Sequence, residues 1–158
     1  MRNQNESFRL KAKSMRLSNM ADYAVVVMSA ASRHCGGAGL GPATNKKRAR
    51  VSATELAAET GLALPTTQKL VSILSKAGLL RSARGTGGGI MLARPAAAIT
   101  IADIIEAVEG PIAMTSCVDT GKHVCQMEGN CRVRPHWAVV NDAVRGALAG
   151  VALTSLNQ

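Results

Sequence analysis

Apolar residues recur at helical spacing along most of the chain and form two short strand-like runs in its middle. That pattern predicts a mainly α fold with one small β-hairpin. Ala21, Ala24, Val25, Met28 and Ala31 share one face of a helix over 19–34, with Ser18 as its N-cap and Gly36-Gly37 as its stop. Ser52-Ala53-Thr54-Glu55 is a capping box that opens a short helix over 55–60, closed by Gly61. Pro65 stands at the N1 position of a helix over 65–77 that Gly78 ends. Thr100 caps a further helix with Ile101, Ile104, Ile105 and Val108 on one side, stopped by Gly110-Pro111. Pro135 starts a last helix, whose apolar stripe is Trp137, Val140, Val144 and Leu148. No internal repeat is present.

Two short helices joined by a glycine-containing turn make a helix-turn-helix candidate, a pattern that many small helical domains share. The next residues narrow the choice. Leu79–Ala83 and Ile90–Ala93 flank Arg84-Gly85-Thr86-Gly87-Gly88-Gly89, so a β-hairpin with a glycine-rich, arginine-bearing tip comes directly after the second helix. Such a hairpin is a wing: its glycines permit positive φ and close backbone approach, and its arginine suits a narrow minor groove. A phosphate-binding loop would need Lys-Ser/Thr and a helix after it, and here a strand comes next.

The chain has 158 residues and a formal charge of +9, unevenly spread. Residues 1–50 carry +8, residues 51–100 carry +3 and residues 101–158 carry −2. A positive first two-thirds points to a polyanion, nucleic acid or an anionic membrane surface. Phe8, Tyr23 and Trp137 are the only aromatics, too few to stack single-stranded bases. The core is therefore aliphatic. No apolar run approaches the roughly 18 residues of a membrane span, and residues 1–14 lack the apolar centre of a signal peptide. A cytoplasmic protein with reduced thiols is the expectation, without membrane or small-molecule partners. The predicted organisation is a disordered basic tail (1–14), a winged helix-turn-helix domain (15–100), and a cysteine loop with a dimerisation helix (101–158).

Residues 110–134 show no clear period and hold Cys117, Cys125 and Cys131 at C-x7-C-x5-C. A loop this long inside a compact domain calls for a reason, and a bound ligand supplies one. Paired C-x2-C zinc knuckles and the bacterial ferredoxin run are both absent. Wider spacing suits a metal cluster whose irons are reached from separated positions. Redox-active thiols and unrelated cysteines are the alternatives. Three thiolates leave a fourth ligand to be found, for which a carboxylate or an imidazole would serve. Cys35, ending the first helix, reads as a partly buried free thiol. His34, His123 and His136 stand in no nucleophile–base motif, so no catalytic constellation is visible.

From Met15 to the end the chain resembles the IscR/NsrR-type family of bacterial winged-helix transcription regulators. The likeness is carried by Met15-Arg16-Leu17-Ser18, Asp22-Tyr23-Ala24-Val25, Val51-Ser52 and Glu55-Leu56-Ala57. It continues through Lys76-Ala77-Gly78-Leu79-Leu80-Arg81-Ser82, Arg84-Gly85, Gly88-Gly89, Ile99-Thr100-Ile101-Ala102-Asp103-Ile104, the three cysteines and Trp137. The resemblance implies a homodimer whose cysteine loop holds a [2Fe-2S] or [4Fe-4S] cluster and whose cluster state controls affinity for double-stranded promoter DNA. It also implies a sensor, acting as a repressor, of iron–sulfur supply, iron, oxidants or nitric oxide; regulators of the SUF assembly pathway look most similar. Two departures stand out. The first cysteine gap is seven residues where some members have five. Some members also place a histidine two residues beyond the third cysteine, where this chain has Cys131-Arg132-Val133-Arg134, and His136 comes two positions late. Members similar to the nitric-oxide-sensing branch use an aspartate early in the partner's first helix, and Asp22 stands at the matching place. Fourth-ligand candidates are therefore Asp22, His136 and His123, beside water, a thiol or no ligand. A helix-dipole role for Asp22 is the plain alternative.

If 65–77 is the recognition helix, its N-terminal residues Thr66, Thr67, Gln68 and Lys69 face base edges. Gln68 can pair bidentately with adenine, and Thr66 or Thr67 can touch thymine methyls or phosphates. In the resembling family the position of Gln68 reads bases, often as glutamate. Lys69 and Ser72 are expected at phosphates, Arg84 and Gly85 at the wing tip, and Arg16 on a backbone-contacting first helix. Lys76 reads as a solvated charge. Trp137 is expected in the core over the cysteine loop. A thiol switch without a cluster and a thiol- or metal-dependent enzyme remain the alternatives.

Overall fold

A computed structural model describes residues 16–35, 50–85, 87–119, 125 and 129–157. The helices are α1 (Asn19–Cys35), α2 (Ala53–Thr60), α3 (Leu64–Lys76), α4 (Ile101–Glu109) and α5 (Arg134–Ala149). The strands β1 (Leu80–Ala83) and β2 (Gly89–Leu92) form an antiparallel hairpin, and short 3-10 turns occupy Ala96–Ala98 and Leu153–Asn157. The mainly α fold with a small hairpin is thus realised. The predicted basic tail 1–14, Met15, residues 36–49, Thr86 and His123 lie outside the described residues.

Local chemistry sets the element boundaries. The Ser18 hydroxyl accepts from the Ala21 N–H at 3.1 Å and so caps α1. Ser52 and Glu55 exchange the two bonds of a capping box, at 3.1 and 2.7 Å. Thr100 and Asp103 do the same at α4. At the end of α3 the Leu79 N–H reaches back to the Leu74 carbonyl at 2.9 Å and the Gly78 N–H to Ser75 at 3.1 Å. Gly78 takes φ +72° between them, a Schellman stop that turns the chain directly into β1.

The core is one aliphatic cluster. Ala21, Ala24, Val27, Met28 and Ala31 of α1 pack with Leu56, Leu70, Leu74, Ile90, Ile104 and Leu153. Two contacts between distant segments close it. Val51 pairs both ways with Ile90, bonding the residues before α2 to the hairpin at 3.1 and 2.7 Å. After α5 the chain returns to α4: Leu153 N–H bonds the Ile99 carbonyl at 2.8 Å, and Ile101 N–H bonds that of Val151 at 3.0 Å. Trp137 departs from expectation. It sits half-buried at the start of α5, outside the core cluster, because α5 buries only Asn141.

Candidate functional site

Helical periodicity divides α3 into two faces. Thr67, Leu70, Val71 and Leu74 are buried, so Pro65, Gln68, Lys69 and Ser72 face outward, all exposed. Gln68, Lys69 and Ser72 therefore face solvent. Thr67 does not. It is 0% exposed, and its hydroxyl donates to the Ala63 carbonyl at 3.3 Å, as expected of a residue on the stripe of Leu70 and Leu74. Thr66 is half-buried at the boundary of the two faces.

The hairpin beside α3 aligns Leu80 with Leu92, Arg81 with Met91, Ser82 with Ile90 and Ala83 with Gly89. Leu80, Ile90 and Leu92 anchor it in the core, while Arg81, Ser82, Ala83, Arg84 and Gly85 are exposed. The tip holds Gly85, Gly87 and Gly89 at φ +92°, +78° and +145°. The Gly88 N–H bonds the Gly85 carbonyl at 2.8 Å, and a Cβ at Gly88 would lie 2.4 Å from the Ala83 carbonyl oxygen. Beside this tightly folded tip Arg84 is exposed to solvent. Sequence reasoning missed Arg50. Its guanidinium donates to the Gly87 carbonyl. The signal was long-range, because only the Val51–Ile90 pairing brings Arg50 to the tip.

Arg16 precedes α1 instead of lying on it, since the helix begins at Asn19. With Leu17 it borders an open groove of about 730 Å³, whose walls include Ile105, Met114, Val144 and Leu148. Ser18 N–H ties this entry to Glu109 at 3.1 Å. Asp22 lies in the first turn of α1 but is exposed, off the stripe of Ala21, Ala24 and Met28. It leaves the apolar face uninterrupted and faces outward.

Cys117, Cys125 and Cys131 lie between α4 and α5, all half-buried and unpaired. The Thr115 hydroxyl is 3.1 Å from the Cys117 sulfur. Met114 N–H bonds the Asn141 side chain at 3.0 Å, and Arg145 grips Glu106 at 2.8 and 3.0 Å, so the segment is bracketed by contacts to α5. That Arg145 guanidinium, with help from the Ile112 N–H, holds the Glu106 carboxyl below its ordinary range. Among the described residues no three His, Cys, Asp or Glu side chains converge to hold a metal ion. The cysteines, Asp22 and the exposed His136 are thus not gathered into one mononuclear site within the subunit. Cys35 is a partly buried thiol, its sulfur 3.9 Å from the Ile90 carbonyl.

α5 is the least covered helix. Asn141 is its only buried residue, while Val133, just before it, and Val139 and Val140 are 55%, 70% and 43% exposed. No helix among the described residues is long and apolar enough to cross a membrane.

Residues 17–158 match the model of the Rrf2 family, described as "Iron-dependent Transcriptional regulator". The chain is 30% identical over 142 residues to the HTH-type transcriptional regulator IscR of Photorhabdus laumondii, covering 90% of this chain and 79% of that protein. IscR of Escherichia coli O1:K1 is 31% identical over the same length, with 90% and 80% covered. Among solved structures, CymR, the global cysteine regulator of B. subtilis, superposes with a TM-score of 0.65 at 27% identity, covering 91% of this chain and 97% of that one. T. potens IscR gives 0.61 at 26% identity, covering 90% and 86%. An oxidised form of Staphylococcus aureus CymR gives 0.62 at 28%, covering 91% and 97%. With its winged helix and these relatives, the chain belongs to the Rrf2 family and is a DNA-binding transcription regulator, not an enzyme.

Proposed function

We propose that this regulator is a cytoplasmic homodimer that binds double-stranded promoter DNA under control of an iron–sulfur cluster, acting as a repressor of iron–sulfur assembly genes. The observation that carries the reading is three unpaired, half-buried thiols on one segment between α4 and the uncovered helix α5. Their donor chemistry fits the group. Thiolates are the ligands that iron–sulfur clusters take, and a polynuclear cluster does not require donors gathered at one metal ion. Cys117, Cys125 and Cys131 would hold it. Asp22 of a second subunit is the favoured fourth ligand, supported by its outward position, with His136 the alternative. When bound, the cluster supplies iron that responds to oxidants, nitric oxide and iron supply.

The chain's own residues do the rest. The Thr115 hydroxyl lies 3.1 Å from the Cys117 sulfur and orients that side chain. The Asn141–Met114 and Arg145–Glu106 contacts transmit the state of the segment to α5. The exposed valines along α5 would be covered by the same helix of a second copy, so ordering the segment biases the spacing of two recognition helices. On DNA, Gln68 reads a base edge, Lys69 and Ser72 meet phosphates, and Arg84 with Gly85 enters the minor groove. Thr66 and Arg16 flank these contacts.

Anaerobic purification tests the reading. The expected product is coloured, with about two or four irons and equal sulfide per subunit, numbers set by the two cluster types. Cys125→Ala should lower iron content and change DNA affinity; an unchanged value of both would overturn the sensor assignment. Asp22→Ala should destabilise the cluster in air. The likeness to CymR, known in an oxidised form, favours a second reading in which the cysteines switch by oxidation alone. A colourless protein that binds its promoter tightly and loses binding on oxidation would establish that one.

A further inference from the structure

A wing built on glycine carries an intrinsic penalty. Glycine loses more conformational freedom on ordering than any other residue, so an unsupported tip would have to be ordered by the DNA itself. Gly85, Gly87, Gly88 and Gly89 stand next to Arg84, the residue proposed to enter the minor groove. The internal Gly88–Gly85 bond closes one turn but ties the tip to nothing outside it. Arg50 supplies the external tie.

The geometry is built from residues far apart in sequence. Val51 is locked to Ile90 by two backbone bonds, which fixes where the Arg50 side chain begins. Gly89 lies directly beneath that side chain: a Cβ there would be 2.9 Å from the Arg50 Cβ and 3.3 Å from the Val51 carbonyl oxygen. Only glycine lets the arginine stem cross β2 at this point. From there the guanidinium reaches the Gly87 carbonyl, and the exposed head retains further N–H donors. A lysine at this position would keep the charge but offer a hydrated ammonium in place of the planar fork.

We infer that Arg50 is a positioning residue for DNA recognition, clamping the wing tip through the Gly87 carbonyl so that Arg84 meets the minor groove in one orientation. The inference rests on the wing's proposed role in DNA binding. Clamping before binding removes an ordering cost from the complex, so its loss falls on specific affinity. It leaves the winged-helix core intact, because Arg50 is exposed and outside the core cluster.

The test uses the full chain and two duplexes of equal length, one selected by the wild-type protein from a random-sequence pool and one unrelated. Arg50→Lys should bind the selected duplex about tenfold more weakly, which is about 1.4 kcal/mol, while binding to the unrelated duplex and the salt slope change little. Amide exchange at Gly88 should quicken at an unchanged melting temperature. Arg84→Ala should weaken selected-duplex binding by itself, and adding Arg50→Lys to it should cost almost nothing more, since both act through one contact. Wild-type affinity in Arg50→Lys, with Arg84→Ala impaired, would leave the wing reading standing and overturn the clamp: Arg50 would then be a bare phosphate charge. Fully additive effects would overturn it in the same way. Wild-type affinity in Arg84→Ala would overturn the wing reading and the role of Arg50 with it.

Discussion

The segment from Arg50 to Glu109 and the segment from Gly110 to Ala149 solve the problem of burial in opposite ways. In the first, α2, α3, the hairpin and α4 each commit residues to one core, and Leu56, Leu70, Leu74, Leu80 and Ile104 are all essentially inaccessible. In the second, a sixteen-residue helix buries a single asparagine, and the segment before it is held by a few polar contacts. The first region is buried against one core; the second leaves apolar surface exposed. That asymmetry suits a sensor. An element whose packing depends on a ligand or partner has an equilibrium that a ligand can move, whereas a closed core resists such bias.

The comparison can be broken most forcefully in the core. Leu74→Ala should cost about 2–5 kcal/mol in denaturant unfolding, because it opens a cavity under α3. Val139→Ala on α5 should cost the isolated fold about 0.5 kcal/mol or less, as surface substitutions do, and its effect should appear instead as a weaker dimer in sedimentation. Equal losses from both would show that α5 is packed like the core. Next in size, Gln68→Ala should cost about 1–3 kcal/mol of discrimination on a selected duplex with stability unchanged. Thr67→Ala, one residue away, should reverse that order and lower stability first. Cap removal is smaller. Ser52→Ala and Thr100→Ala should each cost about 1 kcal/mol, read by thermal or chemical unfolding.

The weakest effect is electrostatic and acts in both regions over the same pH range. Bonds from His34 and then Arg33 hold Glu59 below the ordinary carboxylate range, and Arg145 does the same to Glu106. For both groups the folded pKa lies below the unfolded one. Their contribution is therefore present above the unfolded value of about 4.3 and is lost as pH falls through the folded value. Melting temperature should drop below about pH 4.5, and Glu106→Gln, which unties α5 from α4, should make that drop shallower. An unaltered slope would place the Glu106–Arg145 pair among surface pairs that contribute nothing measurable.

Much of the winged half was legible because its signals are local. Ser52 with Glu55, Thr100, Pro65, Gly61 and Gly78 act within a few residues of themselves, and helices start and stop where they stand. The hairpin was legible from strand-like runs around glycine. The inward turn of Thr67 was also legible, since it shares a stripe with Leu70, Val71 and Leu74. Reading the N-terminal turn of α3 as uniformly DNA-facing overlooked that period. Trp137 was misplaced for a different reason: side-chain type describes a preference for burial, while burial itself depends on what packs alongside.

By itself the sequence determined the order of elements, their boundaries, the separation of positive from negative halves, and the grouping of three cysteines between two helices. These depend on propensity, capping and charge, which act over a few residues or sum without regard to the fold. Only the tertiary structure decided that Val51 pairs with Ile90, that Arg50 thereby reaches the wing tip, and that the chain after α5 returns to Ile99. It also decided that α5 carries an apolar surface the single subunit leaves uncovered. Each of those depends on contacts between residues about forty or more positions apart, or on the absence of one, and no local pattern encodes such a contact.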